Sequence, residues 1–360
     1  MSRRLRKIWV CNDVWMDILP FFRRPQLGLK MALLSPRFDV LVDTHFNVTV
    51  SALPLCKWMI ICKEFGPKPK LKASVKTDHY FVDFPLPDHH PLPNKIRFDD
   101  LHIYYIDHSV LKFLRSNKHI FDRRGTMLEL SVPLEQHIWD AFVRELWPIF
   151  APSIHHLDFA GHKYLDNLRR LISPTILTDL DTLNSIGSDD LFPDEIAADD
   201  GPNASAGMAL SKWLHTPRND GQPKELYFYL KERKSWFDNY KQFFLRATTS
   251  VSYNIWLTNP SFDQMQIVEP FELVNKRTKE KLILMMLTYE DASDDFLGDW
   301  LLKRCPIGET VVVVQQQTDN HFENNNMNSV IISLERHNCI GPLSPPTEDE
   351  EEAGKSNVRK

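Results

Sequence analysis

From Lys95 onward the chain repeats one rhythm, a short apolar or alternating run followed by an amphipathic run of helical period. IRFDDLHIYYI precedes VLKFLRSNKHIF, MLELSV precedes IWDAFVRELWPIF, and HHLDFAG precedes YLDNLRRLI. ILTDLDTLNSI then pairs with AGMALSKWLHT, LYFYL with WFDNYKQFFLRA, and SVSYNIWL with a strand pair near 268–288. Strand then helix, repeated, restricts the fold to an α/β solenoid or an open doubly wound α/β sheet. The leucine and aspartate cadence of HHLDFAGHKYLDNL and PTILTDLDTLNSI favours an irregular leucine-rich-repeat-like α/β solenoid over 95–309. The alternative, a doubly wound sheet, calls for a glycine-rich first turn, and only 12 glycines occur in 360 residues. PFELVNKRTKEKLILMML reads as a hairpin, 271–274 against 282–287, and FLGDWLLKRCPI as a closing helix.

Ahead of this array, residues 8–48 predict three short helices. Asn12 or Asp13 can cap the first, which puts Val14, Ile18 and Phe22 on one side with Trp15 and Leu19 beside them. Pro20 keeps it short. After the Arg23-Arg24-Pro25 turn, Leu27, Leu29, Met31, Leu33 and Leu34 give a second helix more apolar positions than one narrow stripe buries. Ser35-Pro36 is a cap followed by a first-turn proline, launching a third helix with Phe38, Leu41 and Val42 inward. Each large apolar side chain contributes about 1.5–3 kcal/mol when fully buried. A unit this small cannot hide all of its own, so the pattern predicts a partner surface.

This order of elements resembles the F-box, with Ser35-Pro36-Arg37-Phe38 as its closing Ser-x-Arg-Phe. The usual opening Leu-Pro is absent; Val10-Cys11 stand there, and Trp15 takes a position where leucine is common. The strings PLPNKIRFDDLHIYYIDHSVLKFLRSN, DGPNASAGMALSKWLHTPR, PFELVNKRTKEKL and DWLLKRCPI make most of 8–309 similar to the F-box domain-containing protein family of plant-parasitic nematodes. The resemblance implies a substrate-recognition adaptor of a Skp1-cullin-F-box type ubiquitin ligase, without catalytic residues of its own. It implies that a Skp1-like protein, and through it a cullin complex, binds Val14, Ile18, Leu19, Phe22, Pro25, Leu27, Leu29, Leu33 and Phe38. A protein-interaction scaffold or effector without ligase association is the alternative, and a hydrolase on an α/β sheet a third reading.

Several other chemistries lack a motif. The net charge of −5 supplies no basic field for nucleic acid, and no run reaches membrane-spanning length. Five cysteines without a C-x-x-C pair fit reduced thiols, and with no leader pattern the expected location is cytoplasmic or nuclear. G-x-S-x-G is absent, and Cys305 between basic residues and a proline reads as a packing residue. His89-His90 and His155-His156 lack further ligands at metal spacing, so neither metal nor cofactor is expected. GPNASAG lacks the Gly-Lys-Ser/Thr ending of a phosphate loop and reads as a helix start capped by Asn203 or Ser205. Aromatic residues crowd the predicted strands, and Tyr104, Tyr229 and Trp256 are the candidates for an outward row that binds a protein substrate. The remaining segments read as a proline-rich connection at 49–94, a terminal hairpin at 310–341 and a disordered acidic tail at 342–360.

Overall fold

In the computed structural model the described residues are 10–49, 56–63, 68–74, 81–87, 91–92, 98–122, 125–193, 198–229, 235–258, 269–286, 300–309, 328–334 and 339–343. The chain forms two units, 1–124 together with 328–360, and 125–327.

The first unit opens with α1 (Asn12–Ile18), which passes into a 3-10 turn, Leu19–Phe21, at Pro20. Next comes α2 (Arg24–Gln26), continued by the π-helical Leu27–Met31 and the 3-10 Ala32–Leu34. Ser35 then turns extended, its Oγ accepts from Phe38 N at 3.4 Å, and α3 (Pro36–Thr49) follows as the Ser-Pro pair predicts. The described part of 49–94 is not a mere connection. It supplies β1 (Cys56–Cys62), β2 (Lys70–Ser74) and β3 (Phe81–Pro85), followed by β4 (Phe98–Ile103), α4 (His108–Ser116) and α5 (Lys118–Asp122).

The second unit runs β5 (Thr126–Ser131), α6 (Gln136–Ala141), α7 (Trp147–Phe150), β6 (Ile154–Phe159), α8 (His162–Leu171), α9 (Ile176–Asp179) and β7 (Ser185–Ser188). It continues through α10 (Ala206–Leu214), β8 (Lys224–Tyr229), α11 (Ser235–Arg246), β9 (Tyr253–Thr258), β10 (Phe271–Asn275), β11 (Glu280–Met286) and β12 (Trp300–Pro306). Ser205 Oγ accepts from Met208 N at 3.2 Å, so GPNASAG is the helix start its sequence predicts. Last, β13 (Asn328–Ser333) returns to the first unit.

Both units are α/β and carry mixed sheets. In the first, β1 lies between β2 and β4, antiparallel to β2 and parallel to β4; β3 pairs with β2, and β13 runs parallel to β4. Met59, Ile61, Leu71, Phe84, Leu101, Ile103, Val330 and Ile332 are in register or on alternate positions and all buried, which makes one face the core side. The expected 310–341 hairpin has its first strand outside the described residues, and its second pairs with β4 instead. Of the acidic tail, 344–360 also lies outside them.

In the second unit β5 to β9 are parallel and in sequence order, so the strand-helix rhythm is real. The leucine-rich-repeat-like solenoid is not formed. A solenoid stacks every repeat in the same sense, whereas β9 is followed in the sheet by β12, β11 and β10, all antiparallel neighbours. The hairpin between β10 and β11 is present, with Val274 opposite Lys281. The predicted closing helix is instead β12, in which Trp300, Leu301, Leu302, Arg304 and Cys305 are buried on both faces, so the alternation that would reveal a strand is lost. Residues 176–188 likewise divide into the helix α9 and a four-residue strand.

Register decides which side chains share a face. Leu128, Leu157, Ile186, Leu226, Ile255, Leu302 and Leu284 form one row across β5 to β11, all buried. Phe271, level with Leu284, has its ring 6.3 Å from that of Phe237 in α11, so this row is the helix-facing side. The two neighbouring rows point the other way. One reads Met127, His156, Ser185, Glu225, Asn254, Lys303; the other Glu129, Asp158, Gly187, Tyr227, Trp256, Leu301.

Candidate functional site

The N-terminal helices close on a small core of Leu19, Leu27, Ala32, Leu41 and Val42, with Trp15, Met16, Met31, Phe38 and Phe46 packed around it. Trp15 meets Phe38 edge to face at 4.8 Å, so this tryptophan is taken up internally. Asn12 is the first helical residue and makes no cap. Its Oδ1 instead accepts from Arg37 Nε at 3.0 Å and Nη2 at 2.7 Å, while Nη2 also donates to Val10 O. The arginine of the closing Ser-Pro-Arg-Phe thus fixes the start of the first helix against the third.

Of the residues proposed for partner binding, Leu19, Pro25, Leu27 and Leu29 are buried within the chain. Ile18, Leu33 and Phe38 are half-buried, and Val14 and Phe22 are exposed. Further apolar side chains are exposed on the same helices: Phe21 at 88%, Leu34 at 64% and Val40 at 65%. Helical spacing cannot distinguish these from their buried neighbours, because the π and 3-10 turns between Leu27 and Leu34 rotate the register that a regular helix would keep. Lys30 places its Nζ 5.1 Å from the Phe84 ring centroid of β3, so part of the helical unit already rests on the chain's own sheet.

The three aromatic candidates are Tyr104, Tyr229 and Trp256. Tyr104 belongs to the first unit, where its ring stacks on His102 at 5.9 Å and its hydroxyl shares a 3.3 Å hydrogen bond with His102 Nδ1. Burial holds His102 below the ordinary histidine range, the nearby Asp100 opposing it. The Tyr229 side chain lies outside the described residues. Trp256 stands on the second unit's face opposite the helices, stacked on Tyr227 with centroids 6.1 Å apart and planes 6° from parallel. Trp256 Nε1 donates to Glu225 Oε2 at 2.6 Å, and Asn254 Nδ2 to Oε1 at 2.8 Å. Burial still lifts the Glu225 carboxyl above its usual range, since those two bonds and the Lys303 charge only partly offset the lost hydration. Burial and the Glu225 charge also raise the Tyr227 phenol.

Beside Tyr227, in the adjoining strands, the buried His156 shares its Nδ1 with Ser185 Oγ and meets the tyrosine ring edge-on at 5.9 Å. Its Nε2 is 3.9 Å from Asp158 Oδ2, beyond hydrogen-bond reach. Ser185 is buried at the start of β7 with its Oγ engaged by His156, a setting that does not present a nucleophile. Gly187 matters for packing here, because a Cβ would come within 2.7 Å of Asp158 Oδ2. Sequence alternation separates Tyr253, buried toward the helices, from Trp256 on the opposite face. The Glu225 and Asn254 braces, on neighbouring strands, carry no local signal.

Cys305 is buried on a strand, and burial pushes its thiol up despite Lys303 and Lys281 nearby. Among the described residues Cys11, Cys62, Cys305 and Cys339 form no disulfide. Among the described residues no group of three or more His, Cys, Asp or Glu is placed to hold a metal, and no helix is long and apolar enough to cross a membrane. His89-His90 fall outside them. No family model, curated protein or solved structure matches the chain.

Proposed function

We propose that this chain is a substrate-recognition adaptor of a Skp1-cullin-F-box type ubiquitin ligase, docking a Skp1-like protein through its N-terminal helices. The observation that carries the reading is the mismatch between a five-residue buried core and the exposed Val14, Phe21, Phe22, Leu34 and Val40 spread over the same three helical segments. Exposed large apolar groups concentrated on so small a unit favour burial by a partner. The sheet-bearing remainder then presents the protein substrate, with the Tyr227 and Trp256 platform as its candidate contact. The chain's contribution is proximity: holding a substrate lysine near an activated ubiquitin thioester makes a bimolecular encounter nearly unimolecular. It supplies no catalytic group to that transfer.

The test uses side chains whose loss leaves the core intact. Val14→Asp with Phe22→Asp in the full chain should reduce co-purification of a Skp1-like protein by more than tenfold, while circular dichroism stays that of the unaltered protein. Leu29 is unsuitable for this purpose, being buried. Recovery at the unaltered level would refute ligase docking and leave the scaffold reading, which Val10-Cys11 in place of Leu-Pro favours.

A further inference from the structure

At the amino ends of β7 and β8 lies a cleft of about 390 Å³, with His155, Thr178, Asp181, Asn184, Arg218 and Lys224 in its lining. Lys224 is only 6% exposed. Its Nζ donates to Trp213 O and sits 4.7 Å from that indole's centroid, a carbonyl and a ring being its neutral companions. Among the described residues it makes no ion pair. Of the two carboxylates lining the cleft, Asp181 and Asp220, the second is already engaged, gripping Arg218 through Nε at 2.9 Å and through Nη2. A buried amine without a carboxylate partner, on the wall of a cavity and close to a second cation, is the arrangement that makes a lysine nucleophilic.

We propose that Lys224 is a nucleophilic lysine that takes small aldehydes and ketones entering this cleft into covalent adducts. In the first step the Nζ lone pair bonds to the carbonyl carbon. The carbonyl π pair moves onto oxygen, which gains a proton as nitrogen loses one, giving a carbinolamine. Loss of hydroxide as water then leaves the imine, so amine plus carbonyl compound yields imine plus water with no oxidant or reductant. His155 lines the same cleft. Its Nδ1 faces Ser153 O at 2.9 Å.

Burial, with the Arg218 charge adding to it, lowers Lys224 from 10.5 to about 8. At neutral pH that enlarges the uncharged fraction roughly 300-fold. The other titratable groups around it are Asp181 and Asp220 in the cleft and His215 behind it, the last kept neutral by burial. This inference is independent of the adaptor reading.

The experiment treats the full chain at about pH 7 with limiting propionaldehyde and cyanoborohydride, which traps imines as secondary amines, then maps alkylated lysines by mass spectrometry. Lys224 should be alkylated more than tenfold faster than the exposed Lys163 and Lys212, and should fall to their rate in denaturant. A ratio below ten in the native protein overturns the proposal. In Lys224→Met, which keeps an apolar stem over Trp213, the fast site should be gone; a fast adduct persisting elsewhere also overturns it.

Discussion

Arg304→Met should be among the most damaging single changes in the second unit. Arg304 and Glu280 are each 1% exposed, joined through Nη2 at 2.7 Å and Nε at 3.2 Å. Arg304 Nη2 also donates to Thr249 O at 2.7 Å, and the guanidinium lies 5.3 Å from the Phe244 centroid. Removing it strands a carboxylate in a dry interior, a loss of about 3–5 kcal/mol. Val251 N at 2.7 Å and Ser250 Oγ at 3.0 Å still reach the other oxygen of Glu280, so the lower end, about 3 kcal/mol, is the working figure. For a unit of this size that is roughly 6–12 °C in the thermal midpoint. Adding Glu280→Gln removes the stranded charge and should restore about 1–2 kcal/mol, which separates electrostatic loss from lost packing. Calorimetry or denaturant unfolding of the three proteins measures this. A cost below about 1 kcal/mol for Arg304→Met, or a double variant less stable than it, would refute the reasoning.

His215 titrates at about 4 when folded because burial, helped by Arg304 and Lys224, outweighs its bond to Ser211 O. The unfolded chain takes up that proton near 6.5, so stability is level above that pH, falls by about 3 kcal/mol as pH drops toward 4, and is level again below it. Urea unfolding of His215→Gln should show a flatter acid limb across that window. Gly125→Ala forces a side chain onto φ +80°, costing about 1–2 kcal/mol, and also drives Cβ to 2.4 Å from the His155 ring, so its thermal midpoint should fall by several degrees. Arg37→Ala removes the bonds to Val10 and Asn12, a loss of about 1.5–3 kcal/mol, read as faster amide hydrogen exchange over 12–18.

Local pattern carried the α/β class, the N-terminal helices and the hairpin between β10 and β11, since each depends on residues close in sequence. Strand order depends on pairing between distant segments, and that is where inference stopped. The parallel run of β5 to β9 reads the same whether or not it continues as a solenoid, and only the antiparallel turn to β12 distinguishes the two. In β12, Trp300, Leu301 and Leu302 are buried in succession, which mimics a helix. At the candidate sites, composition nominated Trp256 but not its brace Glu225, two positions before Tyr227 on the neighbouring strand. For the helices, Leu29 and Val14 are equally apolar letters, and only packing assigns one inward and one outward.

β13 gives the first unit a discontinuous chain: 125–327 is synthesised whole between the parts of its neighbour. On the ribosome the second unit has all its described strands available before residue 328 emerges, while β4, already beside β1, still awaits its second parallel neighbour. For that interval the early segments stay an unfinished sheet, with the edge of β4 open to mispairing. Maturation of the sheet beside the N-terminal helices is therefore timed by the synthesis of residues 328–333, and a chain stalled before 328 would leave that support unclosed.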